Sequence, residues 1–224
     1  MINIGIKRLY LFPVFLLAIC LMACGDGAAD LEESSVMYEE GSDGFIKFLT
    51  SDPQYYGYSF WKFYDNGDRD IYEIECKKMS GHQNIAYGML FGASETIPGQ
   101  YYEFWITCSG YFRINERNIL ETTTLVNWTE TDKLLTGYNQ LNTLRIENSG
   151  LNYSAYINDS RVAQFSNPAV FGKLTGLIVF IGLETDEEFP ENPVEVRYRF
   201  KNAGGNSRAI SPQFHSLSRG SVRH

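Results

Sequence analysis

Apolar and polar residues alternate with a period of two along much of the chain. From Ile71 to Lys77, Tyr72, Ile74 and Cys76 share one side and Glu73, Glu75 and Lys77 the other. Tyr101 to Cys108 sets Tyr102, Phe104, Ile106 and Cys108 against Tyr101, Glu103, Trp105 and Thr107. Val194 to Phe200 sets Val194, Val196, Tyr198 and Phe200 against Glu195, Arg197 and Arg199. Side chains of a strand point alternately to its two faces, so such runs predict strands with one buried face. Further strands are expected at Ile85 to Phe91, Tyr111 to Asn115, Thr143 to Glu147, Asn152 to Asn158, Val162 to Phe165 and Leu174 to Leu183. Ser109-Gly110, Asn148-Ser149-Gly150 and Asn158-Asp159 lie between them and tolerate the positive φ of hairpin turns. No stretch carries a sustained helical stripe. Roughly ten short strands in antiparallel order predict an all-β fold of two packed sheets.

The two ends have a different texture. Lys7 and Arg8 precede an apolar run from Leu9 to Ala23, shorter than the ~20 residues a spanning helix needs. A basic start, a short apolar core and small residues before a cut describe an export signal. Leu21-Met22-Ala23-Cys24 resembles the lipobox of bacterial lipoproteins. That resemblance implies cleavage after residue 23, acylation of the Cys24 thiol and new amino terminus, and attachment to a membrane; Gly25 after Cys24 favours the outer membrane. Residues 24–44 are then an acidic tether, since Asp26, Asp30, Glu32, Glu33, Glu39, Glu40 and Asp43 stand without any basic residue. Residues 45–201 form the expected domain. Residues 202–224, with Arg208, Arg219 and Arg223 and no acid, read as a loosely ordered tail.

Charge narrows the partners. The formal net charge is −8, and loss of Lys7 and Arg8 with the signal makes it more negative. Such a balance disfavours nucleic acid and supplies no polybasic membrane patch.

The runs Tyr101 to Ile106, Gly110 to Ile114, Asn142 to Ile146, Tyr156 to Asp159 and Gly172 to Leu177, in this order, resemble the concanavalin A-like lectin and glucanase superfamily, especially its laminin G-like branches. The resemblance covers roughly residues 45–201 and implies a jelly-roll sandwich of two antiparallel sheets. Asp159 departs from the glycine usual after the turn asparagine; Asp tolerates that turn. Because the superfamily holds sugar binders, glucanases and protein-binding modules, the resemblance implies no single activity.

Candidate chemistry is sparse. Trp105, with Tyr101 and Glu103, is expected on the solvent side of its strand, where a ring beside a carboxylate could hold a sugar face; the rival reading is that a loop or the tail covers it. Asp65, Asp68 and Asp70 fall in an oxygen-rich turn suited to calcium, although the spacing is not that of an EF-hand; no other cofactor is expected. Glu184-Thr185-Asp186-Glu187-Glu188 repeats the glucanase spacing of carboxylates. On a strand, however, it would bury Glu187, and Pro190 and Pro193 follow, so a solvated loop is the better reading. Histidines are few and no nucleophile elbow occurs. Cys76 and Cys108 are the cysteines left after Cys20 departs and Cys24 is acylated. An exported body favours pairing them; in a simple meander one strand would separate them, placing their Cα atoms ~9–10 Å apart, too far to bridge. Buried free thiols are the rival reading. The expectation is thus an envelope-anchored lipoprotein with a non-catalytic domain that binds a glycan or a surface protein. The alternatives are a glucanase-like hydrolase and a purely structural surface lipoprotein.

Overall fold

The computed structural model describes residues 36–52, 58–65, 70–94, 99–167, 172–181 and 192–201. No α-helix occurs among them. The described strands are β1 (Val36–Glu40), β2 (Ile46–Thr50), β3 (Tyr58–Asp65), β4 (Ile71–Ser80), β5 (Tyr87–Ala93), β6 (Tyr101–Ile106), β7 (Tyr111–Arg117), β8 (Thr122–Glu130), β9 (Asn142–Ser149), β10 (Asn152–Ile157), β11 (Ser160–Ser166), β12 (Leu174–Ile181) and β13 (Val194–Phe200). They form a seven-stranded sheet, β1-β2-β13-β4-β9-β10-β11, and a six-stranded sheet, β3-β12-β5-β6-β7-β8. Neighbouring strands are antiparallel throughout. The expected all-β, two-sheet antiparallel sandwich is the observed architecture.

Alternation explains the packing between the sheets. Phe48, Ile74, Cys76, Leu144, Ile146 and Tyr198 line the inner face of the seven-stranded sheet. They meet Met89, Phe91, Tyr102, Phe104, Ile114, Leu177 and Val179 of the other sheet in one buried cluster. Each such side chain contributes roughly 1.5–3 kcal/mol when removed from water. The β10–β11 hairpin turns on Asn158 and Asp159, at φ 48° and 64°. Positive φ at both central residues gives a turn whose twist matches that of the strands.

Three expectations need correction. The acidic tether was drawn to residue 44, yet Val36–Glu40 is a strand paired with Ile46–Thr50. One-sided charge does not prevent pairing where Lys47 meets Glu39 at 3.1 Å. Secondly, β4, β5 and β6 are not one meander. β4 lies in the seven-stranded sheet and β5 and β6 in the other, because the chain crosses the core between Ser80 and Tyr87. Finally, β2, β3 and β8 lie outside the expected strands. The signal peptide, Cys24, the Glu184 to Glu188 run and residues 202–224 lie outside the described residues.

The two sheets differ in their outer faces. In the seven-stranded sheet, β2, β9 and β13 alternate between buried and part-exposed residues. In the six-stranded sheet every residue of β5 and β6 is buried, as is nearly all of β12.

Candidate ligand-binding face

On β6, Tyr102, Phe104 and Ile106 enter the core between the sheets, so Tyr101, Glu103 and Trp105 stand on the opposite, outer face. Antiparallel register sets their neighbours on β7: Tyr101 opposite Arg117, Glu103 opposite Asn115, and Trp105 opposite Arg113. β8 extends the grid, with Asn115 opposite Thr124 and Arg117 opposite Thr122. Directly opposed side chains in a sheet lie within reach of one another, and here they form one polar network. The Glu103 carboxylate Oε2 accepts hydrogen bonds from Trp105 Nε1 and Asn115 Nδ2, both at 2.9 Å. Arg117 Nε lies 3.6 Å from Glu103 Oε1, and Arg117 also donates to Thr122 Oγ1. The Asn115 amide is fixed from both ends, because its Oδ1 accepts from Arg113 Nε at 2.8 Å. Arg113 Nη2 donates to Thr124 Oγ1 at 2.8 Å. Its guanidinium lies 5.9 Å from the centre of the Trp128 ring, within cation–π range.

Apolar side chains surround this network. Trp105, Tyr101, Leu90, Leu174 and Ile178 form a second buried cluster, against which half-buried Phe63, Trp128 and Phe180 pack. Every member comes from the six-stranded sheet or the residue leading into β5, so the cluster belongs to the outer face and not to the core between sheets. Trp105 meets Phe180 edge-on at 6.5 Å and Tyr101 meets Phe63 at 5.9 Å. Burial, reinforced by Glu103, pushes the Tyr101 hydroxyl up to about 12, against the pull of Arg117.

The outer face of the seven-stranded sheet is a ladder of mutually neutralised charges. Arg199 Nε donates to Glu75 at 2.8 Å, Lys201 meets Glu73 at 3.3 Å, and Arg197 meets Glu195 at 2.7 Å. Arg145 pairs with Glu147 and covers the Tyr156 ring at 4.2 Å. Alternating charge of this kind is how a solvated sheet face is built.

Trp105, Tyr101 and Glu103 do share the outer face, as alternation required. Of the two readings of Trp105, open or covered, the structure has it covered, by neighbouring side chains of the same face: Trp105 is 6%, Tyr101 5% and Glu103 4% exposed. Flanking strands carry bulky residues on the same face, which alternation along one strand does not register. These three residues form a floor, and the accessible groups are Trp128, Arg113 and Arg117, which the sequence reading passed over. The signal was present in Arg113-x-Asn115-x-Arg117, a polar triplet alternating with Ile114 and Glu116.

Of the metal candidates only Asp70 has a described side chain. Asp65 ends β3 and Asp70 is an exposed residue just before β4; the side chain of Asp65 and the whole of Asp68 lie outside the described residues. Among the described residues no three His, Cys, Asp or Glu side chains converge.

Cys76 and Cys108 are both buried and free. They reach the core from opposite sheets, Cys76 on β4 and Cys108 just after β6. Burial, with Cys108 nearby, pushes the Cys76 thiol well up. Lys78 lies beside them with no exposed surface. Its ammonium donates to the carbonyls of His82 and of Ile85, the latter at 3.0 Å. Burial lowers its pKa to about 7, opposed by Cys108.

The fold and its unequal faces define an all-β sandwich with one salt-laced and one aromatic outer surface. No protein family pattern matches the chain, and no curated protein gives a significant match. Solved structures of similar fold include the carbohydrate-binding module CBM66 from Bacillus subtilis, at 13% identity and TM-score 0.49, covering 74% of this chain and 89% of that one. A Bacillus licheniformis β-glucanase is similar at 13% identity and TM-score 0.49, over 74% of this chain and 79% of the other. Sheep galectin-11 aligns at 17% identity and TM-score 0.40, over 53% and 91%. These are likenesses of fold alone.

Proposed function

We propose that the chain is an envelope lipoprotein, lipidated at Cys24, whose sandwich domain recognises a glycan on the outer face of the six-stranded sheet. The observation that supports this reading is the contrast between the two outer faces. One carries paired charges suited to water. The other carries aromatic rings around hydrogen-bonding groups already held in place by one another. Sugar rings present apolar C–H faces and equatorial hydroxyls, so a half-buried Trp128 supplies a stacking surface and Arg113 and Arg117 supply donors. Glu103, Asn115 and Trp105 hold those donors in position beneath, which lowers the ordering cost of binding.

The test is a glycan array probed with the full chain, run beside an assay for release of reducing sugar. Binding without release supports a recognition domain; release would assign a hydrolase instead, and silence in both would reject the glycan reading. Lipidation has its own test. Cys24→Ala should move the protein from the detergent phase to the aqueous phase on partition, and an unchanged partition rejects the anchor.

A further inference from the structure

We propose that the glycan recognised by this face carries a carboxylate, and that Arg113 is the group that reads it; this rests on the glycan reading above. The case begins with how this chain handles its arginines. Arg117, Arg145, Arg197 and Arg199 each have a carboxylate within 4 Å: Glu103, Glu147, Glu195 and Glu75. A chain with a net charge of −8 has acids to spare, and these arginines are all neutralised locally.

Arg113 and the exposed Arg161 have no carboxylate within 4 Å among the described residues, and of these two Arg113 is the one held in a network on the aromatic face. Its Nε donates to the amide oxygen of Asn115 and its Nη2 to the hydroxyl of Thr124, both at 2.8 Å, and its guanidinium carbon lies over the Trp128 ring, 5.9 Å from the centroid. Every one of those partners is neutral. They fix the guanidinium without cancelling its charge. The nearest acid in the network, Glu103, reaches Arg113 only through the Asn115 amide and has Arg117 as its own counter-charge. The cluster of Arg113, Arg117 and Glu103 therefore keeps one positive charge in excess, on the face that also carries the half-buried Trp128 ring.

A fixed, half-buried guanidinium with donor positions left over is suited to a carboxylate, which it engages with short, charge-assisted hydrogen bonds. Trp128 alongside would carry the ring of the same sugar. A neutral glycan would use the donors of this guanidinium but not its uncompensated charge. A uronate or a sialate fits it.

The experiment titrates the full chain, in detergent micelles, with matched probes: oligogalacturonate against its carboxyl-reduced form, and sialyllactose against lactose. The acidic member of at least one pair should bind about tenfold tighter or more, and the preference should shrink as salt rises. Arg113→Gln should bring the acid-to-neutral ratio close to one. Arg113→Lys should retain part of it, since the charge survives but the planar fork does not. Melting curves of both variants report whether the sheet is intact, and the wild-type ratio needs no variant at all. Equal affinity for acidic and neutral members overturns this inference and leaves the glycan reading standing. An acid preference that persists in Arg113→Gln removes the role from Arg113. Binding of neither member of any pair overturns this inference, and the glycan array then decides whether the glycan reading stands.

Discussion

Replacing Lys78 by Met should remove a specific pH dependence from the stability of the domain. Lys78 has no exposed surface and offers its ammonium to the carbonyls of His82 and Ile85, and among the described residues no carboxylate pairs with it. Burial lowers its pKa to about 7, whereas a lysine in the unfolded chain titrates near 10.4. Between these values the unfolded chain binds more protons than the folded one, so stability rises with pH. Below pH ~7 both states are protonated and the folded state bears the full burden of a buried charge. From pH 7 to pH 9 the gain from this one group is about 2 kcal/mol. The buried cysteines and tyrosines act in the opposite sense. Burial raises Cys76, Cys108, Tyr87 and Tyr198, so above pH ~9 the folded state holds more protons and stability falls. Cys76, Tyr87 and Tyr198 are common to both proteins and cancel when the wild-type and Lys78→Met curves are subtracted; Cys108, whose thiol Lys78 pulls down, does not, so the subtraction is cleanest below pH ~8.5, where an unfolded cysteine stays protonated. Denaturant unfolding at pH 6, 7, 8 and 9 should show wild type gaining about 2 kcal/mol on the variant between pH 7 and 9. Parallel curves over that interval would show that Lys78 titrates as an ordinary lysine and would refute the reasoning.

Other parts of the structure give equally definite outcomes. Glu103→Ala strips the counter-charge from Arg117 and an acceptor from Asn115 and Trp105, so it should destabilise by roughly 3–5 kcal/mol, read as a drop in melting temperature; a loss under 1 kcal/mol would mean that the network is slack. Gly88→Ala would place its Cβ 2.0 Å from the carbonyl oxygen of Phe104. The β5–β6 pairing cannot yield there without breaking, so the variant should not accumulate as folded protein, and a native-like circular dichroism spectrum would contradict this. Cys76 and Cys108 should resist alkylation in the folded protein and both be alkylated after denaturation without reductant; mass spectrometry that finds neither modified would reveal a bridge.

Face assignment was legible in the sequence, and partnership was not. β13 was expected at Val194 to Phe200 and found there, because its apolar and charged residues alternate without interruption. β8 was missed because Thr122 to Glu130 is an edge strand, part-exposed or exposed at every position, and so carries no contrast between faces. Lys78 continues the inward series of Tyr72, Ile74 and Cys76, yet its charge reads as the end of a strand; only the carbonyls of residues 82 and 85, folded over it, explain its place. Alternation likewise says that β4, β5 and β6 each have an inner side without saying which sheet holds them. The crossover between sheets depends on packing across the core, a non-local property. The buried state of Trp105 has the same origin, since the ring it meets, Phe180, comes from β12.

The central claim is that the outer face of the six-stranded sheet, and not that of the seven-stranded sheet, is the recognition surface. Affinity of the full chain for the best array glycan, compared among wild type, Trp128→Ala and Tyr156→Ala, tests it most directly. Trp128→Ala removes the stacking ring and should weaken binding by at least about tenfold, while Tyr156→Ala, on the salt-laced face, should leave it within about twofold. Binding that survives Trp128→Ala and is lost in Tyr156→Ala would place the site on the wrong sheet and contradict the account.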